Sequence, residues 1–135
     1  MTTNNTASLL SIGDEKLMVN DPAKEVRGRK VLDKSGEEIG EVDDLLVDDR
    51  EHKVRFLRVA AGGFLGLGET KFLVPVDAIT KVEAKTVHVD QTRDHVTSGP
   101  RYDPKLVDEP HLNNVYSHYG YLPYWGTGYL YPMFP

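Results

Sequence analysis

The sequence contains no cysteine, and this absence excludes several kinds of chemistry. A disulfide framework, a thiol nucleophile and a zinc site built on cysteine all require that residue. A chain without thiols is compatible with the reducing cytoplasm, and the cytoplasm is the location that we expect.

Long apolar runs and basic clusters are also missing. No apolar run approaches the roughly 18–20 residues of a membrane-spanning helix, and the first residues lack the basic start and apolar stretch of a signal peptide. The net charge is −5, and Lys and Arg never occur more than two in succession. Because binding of nucleic acid by counterion release needs a basic surface, the sequence argues against direct contact with nucleic acid.

The middle of the chain is dense in strand signals. Polar or glycine-containing turns separate the segments RKVLD, IGEVDDLLVDD, VRFLRVAA, FLVPVDAI, TKVEA and TVHVD. Gly40 is expected to mark a bulge or bend, and Pro75 indicates that one edge of its strand is unpaired there. VRFLRVAA is apolar on both faces, which predicts a central strand.

These five or six short strands, with no amphipathic helix between them, predict a mainly β fold. At this size an antiparallel sheet closes into a small barrel or rolled sandwich, which also removes exposed edges. We therefore expect a partly disordered N-terminal extension over residues 1–25, a barrel domain over 26–98 and a C-terminal extension over 99–135.

Short helices are predicted after the last strand. QTRDHVT suits one or two helical turns, and a second helix is predicted at about 110–119. Its apolar residues at helical spacing are Leu112, Val115, Tyr116 and Tyr119. Asp108 or Glu109 suits the N-cap, Pro110 the first turn and Gly120 the C-terminal cap. This helix is expected to pack an aromatic stripe on the barrel.

The aromatic residues are concentrated at the C-terminus. Eight of the twelve lie in the last twenty positions, interrupted by proline and glycine. Up to about Trp125 we expect them to fold back and cover the barrel. From Gly126 to Pro135 the glycines favour mobility, and docking on a partner or a neighbouring subunit stays open. A peripheral contact with a membrane interface, which suits Tyr and Trp, is a third interpretation.

Ordered motifs in the central segment resemble the PRC-barrel family. The family pattern is a strand, a G-x-x-(I/L)-G turn, an acidic strand, a polar hairpin, an R-(Y/F)-L-x-V strand, a glycine-rich loop and a proline-containing strand. The corresponding segments here are VLDKSGEEIG, EVDDLLVDD, VRFLRVAAGG, FLGLGETKF and LVPVDAI. They run from about Arg27 to Asp90 in the family's order and spacing. The resemblance implies a small antiparallel β-barrel.

The resemblance also implies a role. The fold is similar to the cytoplasmic domain of the photosynthetic reaction-centre H subunit and to the C-terminal domain of a ribosome maturation factor, where the barrel binds proteins and does no chemistry. It implies a stand-alone, non-enzymatic module for protein binding or assembly. We expect a homodimer, since a small barrel with apolar extensions gains burial by pairing. The alternatives are an accessory factor in RNA processing or ribosome maturation acting through a ribosomal protein, and a peripheral factor of a photosynthetic-type membrane complex.

Three motifs resemble chemical sites, but each has a simpler structural interpretation. GGFLGLGETK is followed by a strand, whereas a phosphate-binding loop needs a helix N-terminus there. The carboxylates of DDLLVDDREH lack the spacing of a calcium loop and are expected on a solvated face and turn. His111 and His118 lie seven residues apart, too far for both to bind one ion without a third group. We therefore predict no catalytic residue, metal site or cofactor.

The candidate contact residues for a protein partner are exposed aromatic and apolar side chains. They are Phe64, Leu65, Tyr121, Tyr124, Trp125, Tyr129 and Tyr131.

Overall fold

Seven β-strands and two α-helices make up the described part of the chain. The computed structural model describes residues 9–11, 25–62 and 68–132. The strands are β1 (Leu9–Ser11), β2 (Lys30–Leu32), β3 (Glu38–Asp48), β4 (Val54–Gly62), β5 (Glu69–Pro75), β6 (Ile79–Val82) and β7 (Thr86–Val89). The helices are α1 (Arg93–Thr97) and α2 (Glu109–Tyr119). The predicted mainly β fold is confirmed.

The sheet is mixed, because one of its strand pairs is parallel. The hydrogen-bonded order is β5-β4-β3-β2-β7-β6, and β1 pairs with β3 beyond the end of β2. All pairs are antiparallel except β2 with β7, where Lys30 faces Thr86 and Leu32 faces His88. A 3₁₀ turn at Val76–Ala78 carries the chain from β5 to β6, the two ends of this order. The result is a barrel-like sheet, without a β5–β6 ladder among the described residues.

Strand β3 organises the sheet, since it pairs with β4 along one edge and with β2 and β1 along the other. The pairing of β2 with β3 shifts register beside Gly40, which confirms the predicted irregularity. A Cβ at Gly40 would lie 2.0 Å from the Ala60 carbonyl oxygen. Only glycine therefore lets β3 and β4 approach this closely.

The core fills the space inside the curved sheet. Strand β4, predicted as central, lies between β3 and β5 and is buried along most of its length. Phe56 and Leu57 point to opposite faces and are both fully buried. The face of β4 that carries Phe56 meets α2, where the rings of Phe56 and Tyr116 lie 5.0 Å apart. Helix α2 therefore covers the barrel, as its apolar spacing predicted.

Helix α2 begins and ends at the predicted caps. The Asp108 side chain accepts a hydrogen bond from the His111 N–H, and Pro110 lies in the first turn. Gly120 ends the helix with a φ of 78°, a left-handed conformation that favours glycine. Helix α1 confirms the shorter helical prediction, with Thr92 as its N-cap.

The N-terminal extension contributes to the sheet through β1, in which Leu9 faces Asp48 of β3. Within the N-terminal extension, the disorder is predicted for residues 1–6, and these lie outside the described residues. The domain limits remain predictions.

Candidate functional site

A buried arginine lies at the start of β4. The side chain of Arg55 is 2% exposed. Its Nε donates a hydrogen bond to Asp48 Oδ2 over 2.7 Å, and its Nη2 donates to Glu51 Oε1 over 2.6 Å. Asp48 ends β3 and accepts further hydrogen bonds from the Arg50 and Glu51 N–H groups. The β3–β4 turn thus folds around one buried ion pair.

Three tyrosines that follow α2 in the chain surround this guanidinium. The Arg55 Cζ lies 4.4 Å from the ring centroid of Tyr124, 5.4 Å from that of Tyr131 and 5.9 Å from that of Tyr129. The Tyr131 hydroxyl also donates to the Val54 carbonyl oxygen over 3.1 Å. A cation over an aromatic face gains electrostatic energy, especially where water is excluded. We call Asp48, Arg55, Tyr124, Tyr129 and Tyr131 the Arg55 cluster.

The ionisation states of the Arg55 cluster follow from burial and pairing. Burial by itself would lower the pKa of Arg55 and raise that of Asp48, but their hydrogen bonds and mutual attraction outweigh burial. The pKa of Arg55 is therefore raised and that of Asp48 lowered, so both stay charged. Burial raises the pKa of Tyr124 and of Tyr131 to about 12. Both phenols stay neutral, and their rings face the cation without adding charge.

A group of buried polar atoms lies next to the Arg55 cluster. Burial raises the pKa of Asp77. The neighbouring Tyr129 hydroxyl and the charge of Arg55 lower this pKa, but they offset the effect of burial only in part. Within the described part of the chain, Asp77 Oδ1 and the hydroxyls of Tyr116 and Tyr129 have no partner that meets hydrogen-bond geometry. A buried polar group without a partner costs free energy.

Removing the Tyr116 hydroxyl is therefore expected to stabilise the protein. Tyr116→Phe should raise the free energy of unfolding by about 1 kcal/mol, because the unpartnered hydroxyl disappears and the ring stays. The matched control is Tyr121→Phe, since the Tyr121 hydroxyl donates to Asp90 Oδ2. That change should lower the free energy of unfolding by about 0.5–1.5 kcal/mol. Urea denaturation measures the free energy of unfolding of both variants. A clear loss of stability in Tyr116→Phe would show that the Tyr116 hydroxyl has a hydrogen-bond partner.

Five of the seven predicted contact residues lie against the barrel or against α2. Tyr124, Tyr129 and Tyr131 contact Arg55, and the ring of Trp125 packs edge-on against Tyr116 at 5.9 Å. Tyr121 contacts Asp90 at the end of β7. Phe64 and Leu65 lie outside the described residues. After Gly126, the rings of Tyr129 and Tyr131 lie against Arg55. The mobility predicted from Gly126 onward stays a prediction. Whether these residues bind a partner stays a prediction.

A model of the PRC-barrel domain family matches residues 12–96. The chain belongs to the PRC-barrel family. No curated protein matches the sequence. The PRC-barrel domain is a protein-interaction module in general terms.

The PRC-barrel match ends inside α1, so the Arg55 cluster joins two parts of the chain. Asp48 and Arg55 belong to the matched domain, whereas α2 and the three tyrosines follow it. We call residues 121–132 the C-terminal segment. Its docking on Arg55 makes this segment a part of the folded unit, although the family model does not extend to it.

Leu130 is the most exposed large apolar residue of the described chain. It is 85% exposed, although Tyr129 and Tyr131 on either side are held against Arg55. Leu122 in the same segment is 47% exposed. The side chain of Leu130 therefore points to solvent, whereas those of Tyr129 and Tyr131 point to the barrel.

The sequence interpretation missed the buried charges of the PRC-barrel domain. The carboxylates of β3 were expected on a solvated face, but Asp44 is 1% exposed and Asp48 2% exposed. Register shifts in the β3–β4 pairing rotate these side chains inward, where Arg58 and Arg55 respectively lie within ion-pair distance. The available signal was the presence of two arginines in the otherwise apolar strand VRFLRVAA, since a buried arginine needs a carboxylate partner.

The histidines form a pair that spacing did not predict. The rings of His95 and His118 stack at 4.0 Å, and each Nε2 donates to the other residue's backbone carbonyl oxygen. Because a carbonyl only accepts, each ring carries its proton on Nε2. The pair joins α1 to α2, and His111 takes no part in it.

Among residues 9–11, 25–62 and 68–132, no three His, Asp or Glu side chains are placed to hold a metal ion. Within the same ranges, no helix is long and apolar enough to cross a membrane.

Proposed function

We propose that this PRC-barrel protein is a non-enzymatic assembly module that binds protein through its C-terminal segment, with a second copy of itself as the first partner. The observation that carries the proposal is the exposure of Leu130 on a segment that is otherwise fixed. Tyr129 and Tyr131 contact Arg55, while Leu130 between them is 85% exposed. Family membership supports the same kind of role.

The fixed backbone is what distinguishes Leu130 from an ordinary surface leucine. Single exposed apolar residues are common on soluble proteins and need no special explanation. Binding usually costs the conformational freedom of the segment that becomes ordered. Here the contacts of Tyr129 and Tyr131 with the barrel have already ordered the segment, so burying Leu130 in an interface costs little further entropy.

A homodimer is the simplest assembly for such a surface. In a two-fold symmetric dimer the same patch serves both subunits, so Leu130 and Leu122 of one copy would face the corresponding segment of the other. The half-buried rings of Trp125 and Tyr131 would add aromatic area around them, and aromatic residues are enriched in interface centres.

The test is the mass of the full chain in solution, measured by light scattering over a range of concentrations. We expect a concentration-dependent dimer whose dissociation constant rises about tenfold or more in Leu130→Ser, because one buried leucine side chain contributes about 1.5–3 kcal/mol. The matched control is Leu106→Ser, since Leu106 is 44% exposed and lies before α2. A chain that is monomeric at about 100 µM, or a dimer weakened equally by both changes, would overturn the proposal.

A further inference from the structure

An open cleft lies where the start of β2 meets the turn between β6 and β7. Its volume is about 580 Å³. The charged residues that line it are Glu25, Arg27, Arg29, Lys30, Glu41 and Lys85. Four cations against two carboxylates make this cleft basic, although the whole chain has a net charge of −5. None of these residues belongs to the Arg55 cluster or to the C-terminal segment.

Arg29 is held in place by neutral partners. Its Nη1 donates to the Glu83 carbonyl oxygen over 2.9 Å, and its Nη2 donates to the Glu25 carbonyl oxygen over 3.2 Å. Backbone carbonyls fix the guanidinium without cancelling its charge. Because the side chain is already ordered, a ligand that pairs with it loses less free energy to immobilisation than with a mobile arginine.

The other cations of the cleft differ in how far they are neutralised. Arg27 forms a bidentate salt bridge with Glu25, with nitrogen–oxygen distances of 2.8 and 2.6 Å. Lys30 lies 3.5 Å from Glu38, and both side chains are more than half exposed, so solvent screens this pair. Lys85 forms no ion pair with any residue that the structure describes. Among the described residues, Arg29 and Lys85 are the cations of the cleft that form no ion pair, so no carboxylate of the protein competes with a ligand for them.

We propose that this cleft binds an acidic segment of a protein partner, with neighbouring carboxylates of that segment paired to Arg29 and Lys85. The free donors of an arginine match a carboxylate in charge and in planar geometry. A bound ligand interacts mainly with the charges close to it, because charges more than about 8 Å apart are largely screened at physiological ionic strength. A short acidic segment meets only the basic cleft, whereas a long polyanion such as RNA also meets the surrounding acidic surface.

This inference does not depend on the proposed dimer, since the two surfaces share no residue. A PRC-barrel protein with both surfaces, the dimer surface and the basic cleft, would connect copies of itself to an acidic partner. The Glu41 carboxylate, which lies opposite Lys30 in the strand pairing, limits how much negative charge the cleft accepts. Two or three carboxylates on the partner are therefore a better match than a long acidic run.

The experiment uses the full chain and a fluorescein-labelled peptide that carries three glutamates separated by glycines. Fluorescence anisotropy at about 50 mM salt is expected to show saturable binding that weakens strongly at about 200 mM. Lys85→Gln should weaken binding about fivefold, and Lys85→Arg should restore it. The matched control is Lys105→Gln, which removes the charge of an exposed lysine outside the cleft and should leave the affinity for the peptide unchanged.

Three results would overturn the inference. The first is no saturable binding of the peptide at about 50 mM salt. The second is an equal loss of affinity in Lys85→Gln and Lys105→Gln, because that would indicate attraction without a defined site. The third is tighter, Lys85-dependent binding of a single-stranded RNA of similar length, which would make the cleft a nucleic-acid site. Circular dichroism of each variant checks that the fold is intact.

Discussion

Replacing Arg55 by alanine is expected to lower the free energy of unfolding by about 3–5 kcal/mol, because it leaves the buried Asp48 carboxylate without its cation. The Arg55 side chain is 2% exposed and Asp48 is 3% exposed at the side chain, so water cannot compensate for the lost partner. The same change removes the guanidinium that Tyr124, Tyr129 and Tyr131 contact. We therefore expect the C-terminal segment to detach.

Urea denaturation measures the loss of stability, and chymotrypsin cleavage after the segment's tyrosines measures the detachment. The matched control is Arg101→Ala, an exposed arginine that should change the free energy of unfolding by less than about 0.5 kcal/mol.

The double variant Arg55→Met with Asp48→Asn separates the effect of charge from that of packing, because the asparagine amide oxygen can still accept from the Arg50 and Glu51 N–H groups. It removes both charges, and it should recover much of the stability because no uncompensated charge remains buried. Cleavage of the segment should stay fast in this variant, since methionine supplies no cation for the rings. Full stability in Arg55→Ala alone would show that the ion pair is not buried as described.

Gly40→Ala is expected to destabilise the sheet by about 3 kcal/mol, at the upper end of the usual cost of overpacking. The new Cβ would lie 2.0 Å from the Ala60 carbonyl oxygen and 2.9 Å from the Ala60 carbonyl carbon. Both atoms belong to the backbone of β4, so no side chain can rotate away. Strands β3 and β4 would have to separate, and their pairing runs through the centre of the core.

Thermal unfolding followed by circular dichroism is a suitable measurement for this variant. The matched control is Gly68→Ala, where a Cβ would have no atom of the described residues within 4 Å and the backbone does not require glycine. The control should change the free energy of unfolding by less than about 0.5 kcal/mol. Equal stability of the two variants would contradict the close approach of β3 and β4.

The elements of the fold were predictable from sequence because their signals are local. Short apolar segments separated by polar turns predicted the strands, and Asp108, Pro110 and Gly120 marked the ends of α2. Each signal acts within a few residues of the element that it determines. The parallel pairing of β2 with β7 was not predictable in this way, because it joins residues such as Lys30 and Thr86 that are far apart in the chain.

The candidate site was predictable only in part. The sequence indicated that Tyr121, Tyr124 and Trp125 pack on the barrel, since aromatic residues near a small core tend to be buried. It did not indicate Arg55, because a charged residue in a strand is ordinarily taken as solvent-facing. Two arginines in an apolar strand were a local signal for a buried ion pair, but no local pattern connects Arg55 to the tyrosines that follow it much later.

The contact between Tyr131 and Val54 also sets an order of events during synthesis. The two residues are separated by 77 positions. At about 5–20 residues per second, the ribosome adds Tyr131 roughly 4–15 seconds after Val54. During that interval the nascent barrel exposes Arg55 to solvent and to other chains. An aromatic-rich segment of a neighbouring nascent chain would compete for the same cation, so two chains made side by side could exchange C-terminal segments before either folds its own.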